Sequence, residues 1–312
     1  MLKTLDILPI TWYNIYKEVY MKYKSVAEIA KKWEISERTM RNYCSKGLIE
    51  GAFITGKTWN IPENAQKPSI RKRLKNKLLD ILIEQKNMNL KGGIYHKTQI
   101  MLAYNSNHIE GSKLTEQQTR FIFETNTIGT SEPVNVDDVV ETINHFKCFD
   151  YLLDNATKLL SEKFIKDLHR ILKSSTSDSR KSWFRVGEYK KLPNEIGGEE
   201  TIQPEEVATK MKELISKYNA LQRKKLKDIL GFHYAFECIH PFQDGNGRVG
   251  RLIMFKECLA NNIVPFIIPD NLKFYYYRGL KEYLNESGYL LGTCLTAQDQ
   301  YKKYLDYFKI EY

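Results

Sequence analysis

The twelve residues His240-Pro-Phe-Gln-Asp-Gly-Asn-Gly-Arg-Val-Gly-Arg251 constrain this chain more than any other stretch, because their three glycines interrupt a pattern that is helical on both sides. Upstream, Leu226, Ile229, Leu230, Phe232 and Phe236 recur at helical spacing as far as Cys238. Downstream, Val249, Leu252, Ile253 and Phe255 resume that spacing as far as Leu259. The stretch therefore reads as a loop between two helices. Gly245 and Gly247 reach φ > 0 at little steric cost, so the amides around Asn246 can turn inward as an anion nest at the start of the second helix. A helix terminus of that kind favours phosphate. Arg248 and Arg251, three apart on one helix face, suit bidentate clamping of further phosphate oxygens, and Asp244 offers a hard oxygen to Mg²⁺. His240 is then left as the general base.

Two other readings of the stretch are weaker. Gly245-Asn-Gly-Arg-Val-Gly250 formally fits the G-x-G-x-x-G dinucleotide fingerprint, with Asp270 about twenty residues further on as a ribose-binding acid. A dinucleotide fold needs a strand before the first glycine and repeated strand–helix units, and this chain offers few strands. A plain helix–loop–helix turn explains the glycines but leaves the clustered Asp, Asn and two Arg without a purpose.

The charge is divided unevenly. Residues 1–92 carry 18 Lys+Arg against 9 Asp+Glu, whereas residues 93–312 carry 30 against 29. A basic module joined to a neutral one suggests a polyanion partner for the first third. Within it, Ser25-Val-Ala-Glu28 is a capping box that opens one short helix running to about Lys32. After a tight turn, Ser36 can cap a second helix from Glu37 to Lys46 that ends at Gly47. Two short helices around a tight turn make a helix-turn-helix, and the second presents Arg38, Arg41, Asn42 and Lys46, residue types that reach base edges and phosphates. Leu48 to Pro62 reads as two short strands around Thr55-Gly-Lys57, a small wing. This segment resembles the winged helix-turn-helix modules of the MerR and excisionase kind, whose wing often ends as Trp59-Asn-Ile-Pro62 does here. DNA is the partner this implies, and a helical docking module is the alternative. Residues 69–92, with seven Lys/Arg against two acids, read as a basic connecting helix.

The second module, residues 93–312, is similar to the Fic family. His240 to Arg251 fits the signature H-x-F-x-[DE]-G-N-G-R-x-x-R at every fixed position. The resemblance runs from roughly residue 95 to 290 and includes Leu168-His169, Phe232-His233 and a stretch from Trp183 to Gly198 that looks like the family's β-hairpin flap. It implies a mostly α fold, a helical core with a small hairpin flap, preceded here by the winged helix-turn-helix of residues 1–68. The implied activity is transfer of AMP from ATP to a protein hydroxyl. In that scheme His240 deprotonates the target and Asp244 binds Mg²⁺ bridging the α and β phosphates. Asn246 with the Gly245 and Gly247 amides cradles phosphate, and Arg248 and Arg251 hold the β and γ phosphates. Ser106-Asn-His-Ile-Glu110-Gly111 fits the family's inhibitory signature, [ST]-x-x-x-E-[GN]. A Glu110 carboxylate paired with Arg251 would occupy the γ-phosphate site.

The rivals are a DNA-binding regulator whose Fic-type core only senses ATP, and an enzyme in which Glu110 orients water to remove AMP. Gly187 to Asn194 is the flap segment expected to align a target by strand addition. His108 and His145 lack metal-ligand spacing and read as surface or packing residues, and Tyr275, Tyr276 and Tyr277 read as core. The candidate partners are ATP, a target protein, DNA and a second copy of the chain. No apolar run approaches membrane length and the N-terminus lacks a signal-peptide pattern, so a cytoplasmic protein is expected.

Overall fold

The computed structural model describes residues 22–45, 47–68 and 77–312, which fall into two compact units dividing after residue 73. Lys46, and residues 69–76 of the expected connecting helix, lie outside the described residues.

In the first unit, Ser25 caps α1 (Val26–Lys32), its hydroxyl accepting from the Glu28 amide while the Glu28 carboxylate accepts from the Ser25 amide. Ser36 Oγ accepts from the Thr39 amide at 3.1 Å and starts α2 (Glu37–Ser45). β2 (Phe53–Thr55) and β3 (Thr58–Pro62) form the expected hairpin. A third strand that the sequence did not suggest, β1 (Tyr23–Lys24), pairs antiparallel with the far edge of β3, giving the order β1-β3-β2. The hairpin and helices close on Ile29, Trp33, Met40, Tyr43 and Ile61, all buried. Arg38, Arg41 and Asn42 point to solvent, with Arg41 donating to Glu37 at 2.7 Å.

The second unit is helical: α3 (Lys77–Asn87), α4 (Ile94–Ile109), α5 (Glu116–Thr125), α6 (Val136–Asn155), α7 (Glu162–Lys173), α8 (Pro204–Ala220), α9 (Leu226–Ile239), α10 (Asn246–Ala260), α11 (Lys273–Lys281) and α12 (Gly288–Tyr307). Side chains start several of them, as Thr115 and Gln118 do reciprocally for α5 and Ser161 for α7. Within the expected basic connecting helix of 69–92, the described residues contain the helix α3, and it packs as part of the second unit. Its Leu78, Leu79 and Leu82 are buried in the main core, because this helix has an apolar stripe that the count of charges conceals.

That core surrounds α10, whose Val249, Leu252, Ile253, Met254, Phe255, Cys258 and Leu259 are all buried. α10 is buried along nearly its whole length, its charged Arg248, Arg251, Lys256 and Glu257 included, so the loop before it opens at the edge of the core. Phe149 on α6 lies between Tyr95 and Phe255, with ring centroids 6.1 and 5.4 Å away. Phe149→Ala is expected to cost this unit about 3–5 kcal/mol, read by urea unfolding of the purified chain. Among the described residues no helix is long and apolar enough to cross a membrane.

Candidate active site

The loop between α9 and α10 is set by three local devices. His240 ends α9 in the left-handed region, φ 48° and ψ 62°, its amide donating to the Phe236 carbonyl at 2.9 Å. Gly245, at φ 82°, supplies the second left-handed turn just before α10. Between them Asn246 closes the loop, its amide accepting from the Phe242 N–H and donating to the Phe242 carbonyl, each at 2.8 Å. The expectation that the Asn246 side chain meets phosphate is thereby corrected: the side chain is buried and both ends are spent on the backbone.

Phe242 stacks on His169 with centroids 4.0 Å apart and planes 3° from parallel. His169 Nδ1 accepts from the Gly187 amide at 2.8 Å, so Nε2 carries the hydrogen and donates to the Asp244 carbonyl at 3.1 Å. Burial pushes this imidazole down to about 3, so it is a neutral strut between the loop and the segment after Gly187.

That segment is held along its length. The Lys190 amide donates to the Pro241 carbonyl at 2.8 Å and Asn194 Nδ2 to the Phe242 carbonyl at 3.0 Å. Lys190 Nζ donates to Asn194 Oδ1 and Thr201 Oγ1, both at 2.6 Å, and burial pushes its ammonium down to about 8. The hairpin falls at the end of the expected stretch from Trp183 to Gly198, its strands being β4 (Glu195–Ile196) and β5 (Glu199–Glu200) with the turn at Gly197-Gly198, whereas Gly187–Asn194 is not one of its strands. Gly187–Asn194 itself is irregular because its backbone groups bond the loop.

The charged side chains form two groups. In the first, Asp244 Oδ2 accepts from Lys173 Nζ at 2.6 Å and from Arg248 Nη2 at 3.0 Å. Lys173 also donates to Glu141 at 2.5 Å and Asp178 at 3.0 Å, and Arg248 pairs with Glu141. Burial opposes ionisation of Asp244, and Arg248 and Lys173 together outweigh it, holding the carboxyl well below its usual range. Arg248 is thus on the same face as Arg251 but already tied to two carboxylates. In the second group Arg251 is buried, and its Nε donates to Ser106 Oγ at 3.0 Å. Its Nη2 donates to the Ser106 carbonyl at 2.9 Å and to Glu110 Oε1 at 2.6 Å. Burial opposes the Arg251 charge and Glu110 outweighs it, leaving the guanidinium firmly protonated.

The structure therefore brings His240, Asp244, Gly245, Gly247, Arg248, Arg251, Ser106 and Glu110 to one end of α10 and its surroundings. Glu141, Lys173, His169, Glu237 and Tyr276 belong there too, although sequence reasoning assigned none of them a role in the site: His169 entered only through the resemblance and Tyr276 as a core residue. Asp244 is ionised and its side chain is 45% exposed, a fit for one hard ligand of Mg²⁺. Among the described residues no group of three or more His, Cys, Asp or Glu could hold a metal by itself, so phosphate and water would have to complete its shell.

Residues 159–258 match the Fic/DOC family. Among curated relatives, the protein adenylyltransferase Fic of Drosophila grimshawi is 28% identical over 186 residues, covering 57% of this chain and 36% of that protein. The chain spans about a third of the length of the curated relatives it matches. A Fic domain containing signaling protein from Bacteroides thetaiotaomicron superimposes with a TM-score of 0.56 at 25% identity, over 73% of this chain and 90% of that one. Fic-1 from C. elegans does so with a TM-score of 0.59 at 20% identity, over 75% and 72%. The mostly helical fold is that of the Fic structures, with a small three-stranded antiparallel sheet in addition.

Proposed function

We propose that this chain transfers AMP from ATP to a hydroxyl side chain of a target protein or of itself. The observation that carries the reading is a partly buried histidine and a helix start opened by a left-handed glycine on one loop, with two arginines on the helix that follows. Burial holds His240 below the ordinary imidazole range, so at neutral pH it is unprotonated and able to accept a proton. The Gly245 turn aims the first amides of α10 outward from the helix start, where phosphate oxygens can accept from them. Arg248 and Arg251 supply positive charge beside those oxygens. Asp244 would hold Mg²⁺, which when bound neutralises charge on the α and β phosphates. The target hydroxyl gives its proton to His240 as its oxygen bonds the α phosphorus, and pyrophosphate departs on the opposite side.

In this reading Glu110 is a brake, since its bond to Arg251 takes the group that would meet the γ phosphate. Incubation with α-labelled ATP and Mg²⁺, followed by intact mass, tests the reading. A gain equal to AMP supports it. Label bound but never transferred points to an ATP sensor, and release of AMP from a modified target points to the reverse reaction.

The first unit is proposed to bind DNA through α2. Arg38→Ala and Arg41→Ala are each expected to weaken binding of duplex DNA and to reduce the slope of log affinity against log salt by about one. Equal slopes in parent and variants would assign this unit to protein docking.

A further inference from the structure

Glu237 lies one helical turn before His240 and is the least satisfied acid of the site. It is buried, and its Oε1 has no hydrogen-bond partner among the described residues. Oε1 stands 3.8 Å from His233 Nε2, which is itself engaged with the Tyr276 hydroxyl at 2.6 Å, and Oε2 stands 3.8 Å from His240 Nδ1. The same His240 Nδ1 is 3.3 Å from the Glu237 carbonyl. A carbonyl only accepts, so Nδ1 carries the hydrogen and Nε2 the lone pair. Glu237 thus offers His240 one acceptor, its carbonyl, and places a carboxyl oxygen 3.8 Å from the same nitrogen, on the side away from the reacting one.

Room for this arrangement comes from α10. A Cβ at Gly250 would stand 2.8 Å from Glu237 Oε1 and 2.8 Å from His233 Nδ1, so any larger residue there would push these side chains out of their present places. A buried carboxyl kept for stability would be paired with donors, because an unpaired one costs more than an apolar side chain in its place. Among the described residues Glu237 Oε1 has no such donor, and the imidazoles of His233 and of the candidate base His240 each stand 3.8 Å from a Glu237 carboxyl oxygen.

We propose that Glu237 is the positioning residue of His240, its carboxyl facing the Nδ1–H side of the ring so that Nε2 is left to the target hydroxyl, and its ionised form supplying the negative charge that balances the imidazolium. The proposal rests on the reading of His240 as the base. In its ionised form Glu237 has already lost its proton to solvent. As the target proton moves to Nε2, the oxygen–phosphorus bond forms and pyrophosphate leaves, the positive ring then faces Glu237 Oε2.

The groups around the pair come from every neighbouring element. Glu110 approaches from α4, Arg251 from α10 and Tyr276 from α11, while Lys190 and Asp244 act on His240 from the other side. Burial, and then Glu110, push the Glu237 carboxyl up to about 8, and Arg251 pulls the other way. The sign follows: below about pH 8 Glu237 is neutral and His240 is the weaker base, and above it the ionised carboxylate strengthens His240.

The test uses the full chain with ¹³C-labelled histidine, with His240→Gln identifying the His240 ring signal. In the parent this signal is expected to show an inflection near pH 8, and in Glu237→Gln that inflection is expected to vanish. In the Glu110→Gly background, Glu237→Gln is expected to lower kcat for AMP transfer about 10-fold or more with KM for ATP within about twofold, and to remove the alkaline rise in rate. The melting temperatures of Glu237→Gln and Glu237→Leu are expected to equal or exceed the parent's. A parent signal without the inflection, an inflection that persists in Glu237→Gln, or a variant with parent kcat overturns the proposal. So does a drop in melting temperature in both variants, which would make Glu237 structural. A parent that transfers no AMP overturns the reading of the activity, and the His240 titration then still decides whether Glu237 holds the imidazole.

Discussion

His240→Ala is expected to lower AMP transfer by about 10²- to 10⁴-fold while ATP binding is retained, the size usual for loss of a general base. The loop does not depend on the imidazole. Its shape is held by Asn246 on Phe242, by His169 on Asp244 and by the left-handed Gly245, none of which bonds the His240 ring. The amides at the start of α10 and both arginines, proposed to meet the phosphates, therefore survive the substitution. The measurement is label transfer from α-labelled ATP beside calorimetric titration with a non-transferable ATP analogue. In the parent the rate should fall as pH drops through the His240 value, which burial places below the ordinary range, because the imidazolium has no lone pair to offer. Transfer by His240→Ala at the parent rate would remove the residue from the chemistry.

The second large effect is expected at Glu110. Glu110→Gly should raise transfer from ATP by about 5- to 150-fold, the range of a competing contact worth 1–3 kcal/mol. The geometry lets the fold survive. Arg251 keeps two of its three bonds, from Nε to Ser106 Oγ and from Nη2 to the Ser106 carbonyl, and loses only its counter-ion. Glu110 sits at the end of α4 with φ −86° and ψ 6°, a conformation glycine adopts without strain. The uncompensated charge should lower the melting temperature slightly, and ATP with Mg²⁺ should restore more stability to this variant than to the parent. Arg251→Ala should not activate, either alone or combined with Glu110→Gly, because the γ phosphate then meets no guanidinium. A purely structural ion pair would make both substitutions destabilising and neither activating. A folded Glu110→Gly protein with the parent rate would place Glu110 outside the control of transfer.

What the sequence determined was a set of devices that act between near neighbours along the chain. The capping box of Ser25 and Glu28, the start of α2 at Ser36, the hairpin ending in Trp59-Asn-Ile-Pro62 and the helix–loop–helix around His240 all depend on residues within one or two turns of each other. Each is in the structure where the spacing put it. The pairing of Glu110 with Arg251 was legible only because a family signature joined two positions 141 residues apart. Tertiary structure alone decided the partners that packing brings together. Glu141 and Lys173 enclose Asp244 and Arg248 from α6 and α7, across 107 and 71 residues respectively. The segment expected to be a hairpin edge gave backbone bonds to the loop, and the strands formed immediately after it, at residues 195–200. Glu237 shows the limit most plainly: its place one turn before His240 can be read from the sequence. Its burial, its unpaired oxygen and its passage past Gly250 exist only once α10 has packed against α9, because desolvation is a property of what surrounds a group and not of the residues beside it in the chain.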